Sequence, residues 1–415
     1  LLDQVKATGA KSGMAAVVDV TDGDVLAMAS VHGATPTTPA GVAGPGDNNA
    51  PLTDLFEPGS TNKLITLSWA LEHGHITPDT KFLVPFSLRV DPHVAPYKDA
   101  EPHVGVPNGI EHWTTADILR ESSNVGTVEI AQRMKNQELA DGLRAFGLGQ
   151  QTAIQWPYQP SGLLIPPSQY YSTGKYSTAI GYGVAVTGMQ MLDAFATIAN
   201  DGVSRPPHLL DATIDAKGTR HPAVVPAGSR VVSTNTASVM TQMLEGVVAH
   251  GTGACAGIPG YLVAGKTGTA KKALATGGYT SAATMASFIG FAPADHPRFA
   301  TLVVLDENNL SYGGEVAAPV FSEITQFALQ QYGVRASDLA NTQYSAARAT
   351  AQTAGTSCSV PHGSDLVAAL HRLPPQSAQT QNQAGAGGAT SGRSQSTAGS
   401  ATAAYSLPPD PSKHT

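Results

Sequence analysis

Strand-forming sequence stands at both ends of the first 335 residues, and helix-forming sequence fills the space between. Near the front, two apolar runs at 14–20 and 25–30 flank Thr21-Asp22-Gly23-Asp24, whose Asp-Gly pair predicts a hairpin. Toward the back, 261–269, 283–291 and 299–306 predict three more strands, with turns at Gly277-Gly278 and at 293–297. Helices are predicted at 60–74, 115–134, 187–200 and 318–332, two of them stopped by Gly74 and by Asp201-Gly202. Strands drawn from both ends of a chain have to share one sheet to bury their apolar faces. The expectation is an α+β fold with an antiparallel sheet flanked by helices, not a series of βαβ units.

Composition limits the partners. The chain has 24 Lys and Arg against 31 Asp and Glu, a net charge of −7, and no basic run. That leaves no electrostatic footprint for nucleic acid. No apolar stretch approaches the roughly 18 residues that a membrane-spanning helix needs. There is no signal-peptide pattern and the first residue is Leu1, so the sequence reads as a piece of a longer chain. Beyond Ala336 the character changes: 52 of the last 80 residues are Ala, Ser, Thr, Gly or Gln, and seven are Leu, Ile, Val or Phe. Residues 336–415 are therefore expected to be a disordered tail, dispensable for stability, with one short helical segment at 365–373. Two cysteines, Cys255 and Cys358, exclude a disulfide-rich scaffold and a cysteine zinc site, and leave open whether they pair. The 13 histidines form no metal-ligand spacing, so no metal is expected.

Three short motifs carry chemistry. After Pro58-Gly59, Ser60 and Lys63 stand three residues apart at a helix start, which puts both side chains on one face. A lysine held neutral by burial can take the serine proton, and the helix N-terminus favours the negative charge that results. The second motif is Ser122-Ser123-Asn124, whose hydroxyls and amide offer a proton relay and a donor–acceptor pair for a peptide bond. The third, Lys266-Thr267-Gly268-Thr269, follows an apolar strand. There a cation and two hydroxyls suit a carboxylate, and glycine lets a substrate backbone come close. Two look-alikes read as accidents: Ser172 with Lys175, which lacks a helix context, and Ser233-Thr234-Asn235, which reads as a capping cluster.

In this order the three motifs resemble those of the penicillin-binding proteins and serine β-lactamases. Gly181-Tyr182-Gly183 with Thr187 and Gln190, and the stretch 196–202, narrow the resemblance to the transpeptidase domain of class B penicillin-binding proteins, over residues 1–335. The resemblance implies a central five-stranded antiparallel sheet flanked by helices. It implies a D,D-transpeptidase that cross-links peptidoglycan stem peptides through an acyl-Ser60 intermediate, needs no cofactor and is acylated by β-lactams. By the same resemblance Ser60 is the nucleophile, Lys63 the general base and Ser122 the proton relay. Asn124 would hold the substrate amide and Lys266 would set the field. Thr267 and Thr269 would take the terminal carboxylate beside Gly268. The backbone N–H groups of Ser60 and Thr269 would form the oxyanion hole. Cell-wall synthesis or division proteins are the implied partners. The extracytoplasmic face of the bacterial membrane is the implied location, with the anchor and N-terminal domain outside this sequence.

A class A β-lactamase would need a glutamate-activated water, and residues 142–192 contain no Asp or Glu. A degraded homologue serving as a scaffold would have lost a motif residue, and none is lost. A D,D-carboxypeptidase and a penicillin-sensing receptor remain the alternative readings.

Overall fold

A computed structural model of the chain describes residues 1–34, 44–46, 48–154, 156–273, 279–308, 312–337 and 340–362. The strands from both ends of the sequence meet in one antiparallel sheet. Its strands are β1 (Ser12–Asp19), β2 (Val25–His32), β3 (Gly44–Pro45), β4 (Ala264–Ala273), β5 (Tyr279–Ala292) and β6 (Phe299–Asn308). The order across the sheet is β4-β5-β6-β1-β2-β3. The N-terminal hairpin joins the C-terminal meander through β1 and β6, with Met14 opposite Val304 and Val18 opposite Ala300. Six strands replace the expected five. The extra one is a two-residue pairing of Gly44 and Pro45 with the edge of β2, too short to leave a pattern in the sequence.

Both faces of this sheet are covered, so its central strands read as continuous apolar runs. Alternation still decides which layer each residue enters. Met14, Ala16 and Val18 of β1, with Leu302 and Val304 of β6, face a layer containing α1 (Lys63–Glu72) and α3 (Gly188–Ala199). Ala15 and Val17, with Phe288, Val303 and Leu305, face the opposite layer around Val5, Phe321 and Leu329. Helix α1 is buried nearly all round, at Leu64, Ile65, Thr66, Leu67, Ser68 and Ala70, as befits a helix inside its layer rather than on it.

The helix expected over 115–134 is broken. A first segment, Thr115–Arg120, ends before Ser122, which adopts a left-handed backbone conformation at φ 59°, and α2 (Asn124–Gln132) begins afresh. Ser123 caps α2 by accepting from the Gly126 N–H at 2.8 Å. The apolar periodicity runs on through the break, which is why the sequence hides it.

The boundary expected at residue 335 is placed too early. Ser337 receives the Leu262 N–H, and α5 (Ala340–Thr353) lies against α4 (Thr234–His250). Gln343 bonds both the N–H and the C=O of Val263, each at 2.8 Å, just ahead of β4. Ala347, Ala351 and Val360 are buried, and Cys358 is disulfide-bonded to Cys255. An Ala-rich sequence that lacks large apolar residues is still a good helix former, and its small side chains permit close contact. The rest of the expected tail, including 365–373, lies outside the described residues. Removal of residues 336–415 is therefore expected to lower Tm by several degrees. Cys358→Ser should reproduce much of that loss, since a native disulfide contributes about 2–5 kcal/mol. Thermal melts of the two variants check this; unchanged melts would return the segment to a passive tail.

Candidate active site

Ser60 lies in a single 3₁₀ turn, Gly59–Asn62, that leads into α1, and Lys63 is the first residue of that helix. The turn is fixed from two sides. Gly59, at φ 54°, donates its N–H to the carbonyl of Gly181 at 3.0 Å. On the other side the turn packs on β4, where a side chain at Gly268 would lie 2.3 Å from Ser287 Oγ and 3.1 Å from the Pro58 carbonyl. The sequence suggested that Gly268 makes room for a substrate; the structure shows that the protein's own packing needs it. Gly268→Ala is accordingly expected to cost about 1–3 kcal/mol and to displace Ser60. A joint fall in Tm and in β-lactam labelling would register both effects.

The second motif comes from the break before α2. Its left-handed backbone turns Ser122 toward the first and third motifs. Lys63 Nζ donates to the Ser122 carbonyl at 2.6 Å and to Asn124 Oδ1 at 2.8 Å, and lies 3.5 Å from Ser122 Oγ. From β4, Lys266 Nζ donates to the same Ser122 Oγ at 2.8 Å and to Thr267 Oγ1 at 3.1 Å. One hydroxyl thus lies between two amines. Asn124 is engaged at both ends, its Nδ2 donating to the Lys98 carbonyl at 3.0 Å. Thr267 Oγ1 meets Thr252 Oγ1 at 2.8 Å, and Thr269 Oγ1 receives the Gly313 N–H at 3.1 Å.

Both lysines are fully buried, whereas Ser60, Ser122, Asn124 and Thr269 are half-buried around them. Burial lowers the Lys63 pKa to about 7, against the opposing pull of the Asp99 carboxylate. Lys266 is pushed well below the usual lysine range by burial and by the charge of Lys63, partly offset by Glu121. Two desolvated amines beside one hydroxyl cannot both be charged cheaply, so the site favours a neutral amine next to Ser60. Among the described residues no hydrogen bond joins Ser60 Oγ to Lys63, whose protons go to Ser122 and Asn124. Catalytic contacts of this kind commonly tighten when substrate binds.

Among the described residues, one row of backbone groups on edge strand β4 is unpaired by any other strand. The Lys271 N–H on that row donates to Tyr182 OH at 3.4 Å. With a period of two along the strand, the Thr269 N–H points from the same edge.

All eight residues selected from the sequence therefore lie in three elements that converge, while the look-alikes lie elsewhere. Ser172 bonds Asp91 and Lys175 bonds the Met134 carbonyl. Ser233 caps α4 and bonds Glu72. Sequence reasoning missed Asp99, Thr252 and Glu57. Glu57 Oε1 receives the Gly183 N–H at 2.6 Å and Tyr279 OH at 3.0 Å, just ahead of the Ser60 turn.

Ser60 at a helix start, two buried lysines and the Ser122 hydroxyl that both approach thus converge beside the edge strand β4. The chain belongs to the penicillin-binding protein transpeptidase domain family, whose profile matches residues 13–326. It is 37% identical to the penicillin-binding protein PbpB of Mycolicibacterium smegmatis over 340 residues, 79% of this chain and 51% of that protein. It is 34% identical to the peptidoglycan D,D-transpeptidase FtsI of Escherichia coli over 322 residues, 76% of this chain and 50% of that protein. The chain spans about half the length of these relatives. Among solved structures, penicillin-binding protein 3 of Mycobacterium tuberculosis complexed with aztreonam superposes with a TM-score of 0.73 at 35% identity, covering 81% of this chain and 76% of that one. The transpeptidase domain of Burkholderia pseudomallei penicillin-binding protein 3 gives 0.68 at 33% identity, covering 80% and 92%.

Proposed function

We propose that this domain is a D,D-transpeptidase that cross-links peptidoglycan stem peptides through an acyl-Ser60 intermediate and is acylated by β-lactams. The observation that carries this reading is the pair of buried amines converging on Ser122 Oγ one helical turn from Ser60. Ser60 Oγ attacks the carbonyl of the penultimate D-alanine while neutral Lys63 takes its proton. Ser122 Oγ relays a proton to the departing D-alanine nitrogen, and the Ser60 and Thr269 N–H groups hold the oxyanion. Asn124 orients the substrate amide, and Lys266, Thr267 and Thr269 receive the terminal carboxylate beside Gly268. The free edge of β4 suits an extended stem peptide laid alongside as an added strand. The amine of a second stem peptide then attacks the ester and releases Ser60.

The Cys255–Cys358 disulfide supports a location on the extracytoplasmic face of the cell membrane, since such bonds persist in oxidising compartments. Among the described residues no helix is long and apolar enough to cross a membrane. On the family resemblance, cell-wall synthesis or division proteins are the expected partners.

Incubation with a fluorescent penicillin, followed by peptide mapping of the adduct, tests the reading; the label is expected on Ser60. Because attack requires the neutral amine, the acylation rate should rise with pH through about 7, where Lys63 loses its proton. An adduct on Ser122 or Ser172 would overturn the assignment. Release of free D-alanine without exchange onto an amine acceptor would assign a carboxypeptidase instead.

A further inference from the structure

One carboxylate behind the site holds the second motif in place. Asp99 stands on the segment ahead of the broken helix and is 9% exposed. Its Oδ1 accepts from the N–H of Asn124 at 2.7 Å and of Val125 at 3.0 Å. Ser123 Oγ donates to Oδ2 at 2.8 Å, and His103 Nε2 donates to the same oxygen at 3.1 Å. The carboxylate thus occupies the N-terminus of α2, where orphan N–H groups and the helix dipole both favour a negative charge. The preceding residue completes the grip, because the Lys98 carbonyl receives Asn124 Nδ2. Asn124 is therefore seized by backbone and side chain together, and its free Oδ1 holds Lys63.

The grip is itself braced. The His103 side chain is 4% exposed, its ring lies 5.0 Å from the Trp113 ring and 6.0 Å from that of Phe86, and its Nδ1 lies 3.2 Å from the Gly109 carbonyl. Its Nε2 thus ties Asp99 to the loop that ends at Gly109.

We propose that Asp99, braced by His103, is a positioning residue that holds the Ser122–Asn124 segment against Lys63. This rests on the reading of Ser60 and Lys63 given above and extends it to a residue none of the three motifs contains. The charged and titratable groups around this assembly are Lys63 on α1, Lys266 on β4, Glu121 before the break, Glu129 on α2 and His103 on the Asp99 loop. Of these neighbours Asp99 favours the charged Lys63 amine. Loss of its charge therefore makes the amine release its proton at lower pH.

Asp99→Asn removes the charge and keeps part of the anchor: the amide still offers an oxygen to the Asn124 and Val125 N–H groups, while its Nδ2 replaces the oxygen that Ser123 and His103 donate to. Lys63 titration is followed by NMR of protein carrying ¹³Cε-lysine, its signal assigned with Lys63→Arg. The rate of penicillin labelling is followed over the same pH range. In Asp99→Asn the Lys63 titration and the rising limb of labelling are both expected to move to lower pH, by about half a unit to one unit. In Asp99→Ala, which lacks the anchor as well, the plateau rate should fall at least about tenfold below that of Asp99→Asn. A Lys63 titration unmoved in Asp99→Asn would overturn the proposal. So would a lowered Tm and rate with an unmoved pH limb, which is what a merely structural residue would give. The NMR readout needs no turnover, so it judges Asp99 even if wild-type protein gave no Ser60 adduct, the result that would defeat the functional reading.

Discussion

Ser60→Ala is expected to abolish covalent labelling by penicillin while leaving the thermal melt close to that of the wild type. The side chain is half-buried, and no hydrogen bond of the fold depends on its hydroxyl among the described residues. Its removal deletes the proposed nucleophile and little else. Lys63→Ala should leave some labelling, reduced by about 10²–10⁴-fold, the usual effect of losing a general base. That corresponds to roughly 3–5 kcal/mol of barrier. The two variants differ in what survives. Without Lys63 the hydroxyl is present but must lose its proton to solvent, so residual labelling should lose its dependence on a group titrating near pH 7. Time courses of labelling at several pH values distinguish these outcomes. Near-normal rates in Lys63→Ala would show that another group activates Ser60, and Lys266, the other amine on Ser122, would be the next to remove.

How far the sequence reached can be judged from these residues. Ser60, Lys63, the Ser122–Asn124 segment and residues 266–269 were legible because each motif is short and local. Their convergence follows once the outer strands share a sheet. What escaped was set by contacts that are distant in the chain. Asp99 lies 24 residues from the Ser123 hydroxyl it receives, with no spacing rule to connect them. The left-handed turn at Ser122 stands next to the Asp99 anchor on the Asn124 N–H, while the apolar pattern around it is that of an unbroken helix. Residues 340–353 lack the large apolar side chains by which a core is recognised, yet they bury small ones and are tied down by Gln343 and the disulfide. Composition measures how much a segment can bury by itself. It does not register a covalent bond or a backbone partner elsewhere.

The adduct formed with penicillin is expected to persist for many minutes to hours. On the proposed mechanism transpeptidation and hydrolysis share the acyl-Ser60 ester and differ in the acceptor that attacks it. Water becomes competent when a carboxylate stands ready to deprotonate it, and residues 142–192 supply no acid. Glu57, three residues before Ser60, is the carboxylate nearest in sequence. Its Oε1 is already taken by the Gly183 N–H and Tyr279 OH, and its Oε2 is buried without a partner. Burial also raises its pKa, partly offset by those two hydrogen bonds, so the carboxylate is held back as a hydrogen-bond anchor with no face open to a water. On the proposed mechanism Lys63 would deprotonate an amine that a stem peptide delivers in register along β4, whereas a water would arrive without that register. The missing base should slow hydrolysis by roughly 10²–10⁴-fold relative to an enzyme that has one. A thioester analogue of the stem peptide with a D-amino acid acceptor should then yield exchange product while the penicilloyl ester stands. Steady nitrocefin turnover at several per second would contradict this. It would mean that Glu57 or another carboxylate reaches the ester after all, and Glu57→Gln would tell which.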